Sequence, residues 1–146
     1  MYCVALDPGG TTGVCLIEDK SKQWEIKVDE FGPKPHHHML WHHLTVWKPE
    51  VLICESFEGN MANEAVRFQS LEYIGVVKAY VQARFTICEL VWQSGSTCKQ
   101  FWDDKRLRQY NMYWRGLKHA RDATRHYLYY QTFTRKDDSL LRRSRG

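Results

Sequence analysis

Asp7 ends a short apolar run, Tyr2-Cys3-Val4-Ala5-Leu6, and is followed at once by Pro8-Gly9-Gly10-Thr11-Thr12-Gly13 and then by a second run, Val14-Cys15-Leu16-Ile17. β-Branched and aromatic residues favour extended backbone, whereas Pro and the glycines stop a strand and permit a reversal. The pattern predicts a carboxylate presented at a strand tip beside a tight turn. Val51-Leu52-Ile53-Cys54 repeats the device and ends in Glu55. Further along, Leu117-Lys118-His119-Ala120-Arg121-Asp122-Ala123 reads as the opening of a helix, and His119 and Asp122, three apart, share one helical face. Three carboxylates crowded together repel unless cations neutralise them, and their hard oxygens suit magnesium or manganese. Taken singly, Asp7 closes a turn, Glu55 ends a strand, and His119 and Asp122 cap a helix. Taken together they are four candidate metal-facing side chains.

Such a set depends on the strands and the helix that carry it. Three early strands are expected at about 2–7, 13–18 and 23–31, the last with Trp24, Ile26 and Val28 alternating with polar neighbours, and they should form an antiparallel meander. Gly32-Pro33-Lys34-Pro35 breaks the sheet, and His38, Leu40, Trp41, Leu44 and Trp47 suit a helix that stops before Pro49. A fourth strand covers 51–55. A long helix follows, capped at Asn60 or Asn63 and running to about Arg84, with Val66, Phe68, Leu71, Ile74, Val77 and Val81 at helical intervals and Gly75 permitting close approach by another element. Phe85 to Trp92 is a fifth strand, 93–97 a loop, 98–102 and 106–114 helical, and 119–132 the last helix. The order implies an α/β fold, a five-stranded mixed sheet whose first three strands are antiparallel, flanked by helices, since strands joined through helices need right-handed crossovers.

At 146 residues the chain suits one domain, 1–134, with 135–146 as a basic tail carrying Arg135, Lys136, Arg142, Arg143 and Arg145. The five cysteines form no CxxC pair and sit mostly in apolar runs, which reads as reduced, buried thiols. With neither an 18-residue apolar stretch nor a charged-then-apolar leader, no membrane span is expected and the expected location is the cytoplasm. The net charge of +4 hides a division: residues 1–98 carry 8 Lys and Arg against 12 Asp and Glu, whereas residues 99–146 carry 13 against 5. That asymmetry points to a polyanionic partner, because cations that neutralise phosphates release condensed counterions from nucleic acid.

Strand-Asp7-Pro8-Gly9 with its hairpin, strand-Glu55, the helix opening Asn60-Met61-Ala62-Asn63-Glu64, and His119-Ala120-Arg121-Asp122-Ala123 stand in an order and spacing that resembles the RuvC-like Holliday junction resolvases of the ribonuclease H-like superfamily, particularly small versions such as bacteriophages encode. The likeness spans nearly the whole domain. It implies that the first and fourth strands are neighbours, that Asp7, Glu55 and Asp122 are the catalytic carboxylates with His119 at the fourth position, and that two magnesium ions, or manganese in their place, support phosphodiester hydrolysis. The cytoplasm would then be that of a host cell if a phage encodes the chain. The implied activity is a homodimeric endonuclease that makes paired nicks in a four-way junction, or in flaps or forks, with the long helix after the fourth strand building the dimer around Val66 to Tyr80. Two equivalent cuts suit a twofold assembly. Physically, one such ion would lower the pKa of an attacking water and the other would stabilise the leaving oxygen, while His119 could bind metal or relay a proton.

Secondary candidates surround this set. Phe57 suits a wedge between bases at a branch point, or core packing; Glu58 reads as a solvated loop acid. Lys99, in Cys98-Lys99-Gln100, resembles the family's junction-contacting lysine segment, and Lys105 and Arg106 supply a second DNA contact. They belong to a run of cations alternating with Phe101, Trp102, Tyr110, Tyr113 and Trp114, aromatics read mostly as core. His36, His37, His38, His42 and His43 lack a nearby Cys or acid to complete a zinc site, so solvated imidazoles at a helix start are expected. Two rival functions remain: a non-catalytic nucleic-acid-binding module of the same fold, and an ATPase-like phosphate hairpin at Asp7 to Gly13, against which stands the absence of a second such domain.

Overall fold

The structure, a computed structural model, describes residues 2–20, 23–57, 64–84 and 88–139. Strands β1 (Tyr2–Asp7), β2 (Thr12–Lys20), β3 (Gln23–Phe31), β4 (Val51–Ser56) and β5 (Glu89–Ser94) form one sheet in the order β3-β2-β1-β4-β5. β1, β2 and β3 pair antiparallel; β4 runs parallel to β1, and β5 parallel to β4. Parallel neighbours require long crossovers, and these run through α1 (His37–Trp47) and α2 (Glu64–Ala83). α3 (Gly95–Phe101), α4 (Asp104–Gln109) and α5 (Lys118–Tyr129) follow, and α5 runs on into a π-helical turn, Tyr130–Thr134. The expected mixed α/β sheet, with its antiparallel first three strands, is the one observed.

Alternation along the strands sorts the apolar residues into two layers. Cys3, Ala5, Cys15, Ile17, Val51 and Ile53 pack against Trp102, Leu107, Ala123, Tyr127 and Leu128. Val4, Leu6, Val14, Leu52 and Cys54 pack on the other face against Leu40 and Leu44 of α1 and Tyr73, Ile74, Val77 and Tyr80 of α2. Asp7 continues the series Cys3, Ala5, and Glu55 the series Val51, Ile53, so both acids emerge on the α5 face. All five cysteines are buried and free, as expected of reduced thiols. No helix among the described residues is long and apolar enough to cross a membrane.

Several boundaries differ from expectation. Gln93 and Ser94 extend β5, because they pair with Glu55 and Ser56, and Ser94 then caps α3 by accepting from the Thr97 N–H at 3.5 Å. The expected 93–97 loop is therefore a strand end and a helix start. The helix expected over 106–114 ends at Gln109, where Asn111 takes a left-handed conformation with φ 57°. Gly75 faces outward from α2, with nothing among the described residues within 4 Å of an added Cβ, and so none of the described elements approaches it. The expected caps Asn60 and Asn63, Glu58, the start of the fifth strand at 85–87, the Val66 side chain and tail residues 140–146 lie outside what is described.

Candidate active site

One row across the sheet carries the site. The register aligns Glu30 with Gly13 and Gly13 with Asp7. Pairing of Leu6 with Cys54 then sets Glu55 beside Asp7, and Glu55 is aligned with Gln93. α5 crosses above this row. A helix leaves its first N–H groups without internal partners, and α5 has no capping side chain of its own. Glu30 Oε1 takes that place, accepting from the backbone N–H of His119 at 2.8 Å and of Ala120 at 3.1 Å, a carboxylate at the positive end of the helix dipole. At Gly13 a Cβ would overlap the His119 carbonyl, so the missing side chain is what lets the helix reach the sheet. His119 Nδ1 donates to Asp7 Oδ2 at 3.0 Å, Asp122 lies one turn further along, and His126, one turn beyond that, places Nε2 at 3.1 Å from Glu55 Oε2.

The charges are interlocked. Burial pushes the Asp7 carboxyl up to about 7, against the lowering hydrogen bond from His119, and the Glu55 charge adds to the rise. Burial alone would also raise Glu55, but hydrogen bonds from His126 and Asp7 outweigh it and hold that carboxyl below its ordinary value. The two neighbouring carboxyls are thus pushed apart, Asp7 up and Glu55 down. The bond to Asp7 raises the His119 pKa, against the lowering effect of burial. Asp122 is buried and fully paired, Oδ1 with Arg125 Nη1 and Oδ2 with Lys99 Nζ at 3.1 Å. Arg125 is pinned in turn by Asp104 and by the Trp102 carbonyl, the latter at 2.7 Å.

Asp7, Glu55, Phe57, Lys99, His119 and Asp122 all line one cleft of about 300 Å³, together with Lys118 and the Pro8-Gly9-Gly10 turn. Lys105 is exposed on α4, away from this cleft. Arg106 donates to the Phe101 carbonyl at 2.7 Å and stacks 4.1 Å from the Phe101 ring centre, so its guanidinium is held locally. Among the described residues no three His, Cys, Asp or Glu side chains are already disposed to hold an ion. The donor set nonetheless fits a hard cation: Asp7 and Glu55 crowd two carboxylates at adjacent strand ends in one cleft, and a positive charge between them would relieve their repulsion. Asp122 lines the same cleft with Oδ2 held by Lys99.

Three residues of the site escaped the sequence reading. His126 follows Asp122 by four and His119 by seven, a spacing that puts all three on one helical face. Glu30 and Arg125 carried no local signal. His36 corrects an expectation: it is buried, not solvated, with Nδ1 donating to the Lys34 carbonyl at 2.9 Å, Nε2 accepting from the Thr12 hydroxyl at 2.7 Å, and its ring stacked on Tyr73 at 4.0 Å. It ties the turn after Asp7 to α2. His37, in contrast, is half-buried and lies 3.2 Å from Glu72.

No family model matches the sequence, and no curated protein matches it. Solved structures do. Thermus thermophilus RuvC in complex with a Holliday junction substrate superposes with a TM-score of 0.66 at 16% identity, covering 94% of this chain and 97% of that one. The fowlpox virus Holliday junction resolvase gives 0.60 at 12% identity, covering 89% and 97%. The yeast mitochondrial Holliday junction resolvase gives 0.60 at 12% identity, covering 98% and 81%. The chain has the fold of the RuvC-type resolvases, with the ribonuclease H-like strand order.

Proposed function

We propose that the protein is a metal-dependent, structure-selective DNA endonuclease, a crossover junction endodeoxyribonuclease that resolves Holliday junctions or other branched DNA by paired nicks. The observation that carries this reading is the convergence of Asp7, Glu55, His119 and Asp122 on one cleft at the strand ends of this fold. Those four side chains would hold magnesium, or manganese in its place, as two ions, which when bound supply a more acidic water and charge for the leaving oxygen of an in-line displacement. Asp7 and Glu55 present oxygens from adjacent strand tips. His119 keeps Nδ1 on Asp7, so Nε2 is the nitrogen that faces an ion or takes a proton from water. Lys99 and Lys118 flank the acids and suit phosphate contacts, Lys105 and Arg106 extend the basic surface along α4, and the Phe57 ring suits an unstacked base at the branch.

Paired nicks need two sites related by a twofold axis. The outer face of α2 supports a homodimer, since it exposes Phe68 and Leu71, 61% and 40% accessible, beside the bare Gly75. The test is incubation with magnesium or manganese and end-labelled junction, flap, duplex and RNA–DNA hybrid substrates, followed by cut mapping. Symmetrical nicks near the branch, abolished by EDTA and restored by metal, are expected; full activity in excess chelator sinks the reading. The complete pairing of Asp122 by Arg125 and Lys99 favours one alternative, a binding module without turnover. Tight junction binding with no cleavage in either metal would establish that alternative.

A further inference from the structure

His126 is the most deeply buried histidine around the cleft, 1% exposed, and no step of the proposed hydrolysis employs it. Its Nε2 faces Glu55 Oε2 at 3.1 Å, and an ionised carboxylate has no proton to give, so that nitrogen carries the proton and donates. Its Nδ1 then accepts from the Cys98 thiol at 3.3 Å, and the Gln93 side chain packs 3.2 Å away, so the two hold the ring from behind. On its other side the Glu55 carboxylate lies flat against Gly95, where a Cβ would overlap Oε1 and its carboxyl carbon. Glu55 is therefore confined from both sides, by a donor on one oxygen and by backbone beneath the other.

We propose that His126 is a positioning residue for Glu55: with Cys98 and Gln93 behind it and Gly95 opposite, it fixes the orientation of the carboxylate beside Asp7 before a divalent cation is bound. This rests on the metal-nuclease reading of the same site. A carboxylate held in advance loses little freedom when it ligates, and partners that orient a ligand in this way typically change metal affinity by roughly 10- to 100-fold when removed. His126→Gln keeps an N–H donor of similar reach; His126→Leu removes it at similar bulk. Gly95→Ala perturbs the opposite side, and because its clash is with the far end of a side chain, the carboxylate moves rather than the backbone.

The test uses the full chain and reads Mn2+ binding without DNA by electron paramagnetic resonance, the Mg2+ concentration for half-maximal single-turnover junction cleavage, and thermal unfolding in EDTA. Expected for His126→Leu is at least about a tenfold weaker Mn2+ affinity and a matching rise in the Mg2+ requirement, with His126→Gln within about threefold of wild type. Gly95→Ala should move both metal readouts in the same direction with its EDTA unfolding midpoint unchanged. If His126→Leu does not fold, Gly95→Ala and His126→Gln decide: wild-type metal affinity in Gly95→Ala, or loss of affinity in His126→Gln equal to that of a Glu55→Gln control, overturns the proposal. Wild-type metal affinity in a folded His126→Leu overturns it directly. A wild-type protein that neither binds Mn2+ nor cleaves overturns the nuclease reading itself, and the proposal with it.

Discussion

Asp7 is the residue on which the site's electrostatics turn. Its folded pKa is raised from 3.8 to about 7, so its contribution to stability is complete below about pH 4 and is lost as pH rises through 7. His119 is raised as well, and its contribution is likewise lost as pH rises through its folded value. Both act in one direction. In EDTA the unfolding midpoint should therefore fall between about pH 5.5 and 8, and Asp7→Asn should flatten that decline; a wild-type midpoint that climbs across this range contradicts the crowding of acids. Divalent metal should reverse the trend, raising the midpoint more at high pH than at low. His119 allows a second prediction. His119→Asp puts a third carboxylate beside the Asp7–Glu55 pair and replaces a softer imidazole donor with oxygen, so cleavage should persist with the preference shifted toward magnesium and away from manganese. Its rise with pH should lose the step that imidazole protonation imposes. An unchanged pH profile and metal preference would place His119 outside the reacting set.

Between residue and molecule stands the docking of α5 on the sheet. Its first turn has no cap of its own and rests on two features of neighbouring strands, the Glu30 carboxylate of β3 and the bare Gly13 of β2. Gly13→Ala drives a methyl into the His119 carbonyl, a backbone atom that can yield only by lifting the helix. Overpacking of this kind costs about 1–3 kcal/mol. Since the displaced turn carries His119, and Asp122 one turn later, cleavage should fall by far more than the stability loss alone accounts for. Glu30→Ala removes the cap, with a cost of about 1 kcal/mol. Denaturant midpoints and single-turnover rates on both variants check this, and a Gly13→Ala protein with wild-type stability and cleavage would refute the close approach.

Across the whole molecule, the proposed function divides acids and cations between cutting and binding. Asp7→Asn should keep junction binding and lose cleavage, because it removes a metal-facing charge and leaves every cation that meets a phosphate in place. Lys105→Ala and Lys99→Ala should weaken binding and lower the slope of log affinity against log salt by about one for each phosphate no longer neutralised. Lys99→Ala should also strengthen metal binding, since it frees Asp122 Oδ2. Gel shifts across salt, paired with cleavage, separate these effects; normal cutting by Asp7→Asn, or unchanged affinity and slope in both lysine variants, would break the division. Leu71→Glu on the exposed face of α2 should yield monomers by sedimentation and uncouple the paired nicks, leaving single cuts.

Much of this was legible in the residues themselves. Strand tips, turns and helical faces are written in local periods, so Asp7, Glu55, His119 and Asp122 could be gathered from spacing and family resemblance, and alternation along two strands already assigns both acids to the face that carries Ala5 and Ile53. Long-range packing decided the rest. The row from Glu30 through Gly13, Asp7 and Glu55 to Gln93 exists only because five strands align in one register, and no sequence period reports a register between segments far apart in the chain. His36 reads as one solvated imidazole among its histidine neighbours until Thr12 and Tyr73 close around it. Lys99 reads only as a DNA contact until α3 also sets it on Asp122, and His126 carries no reading at all until the sheet beneath it offers Glu55. The local chain determined which groups are available for chemistry; the tertiary fold decided which of them meet, because each meeting depends on distances set by the packing of whole elements.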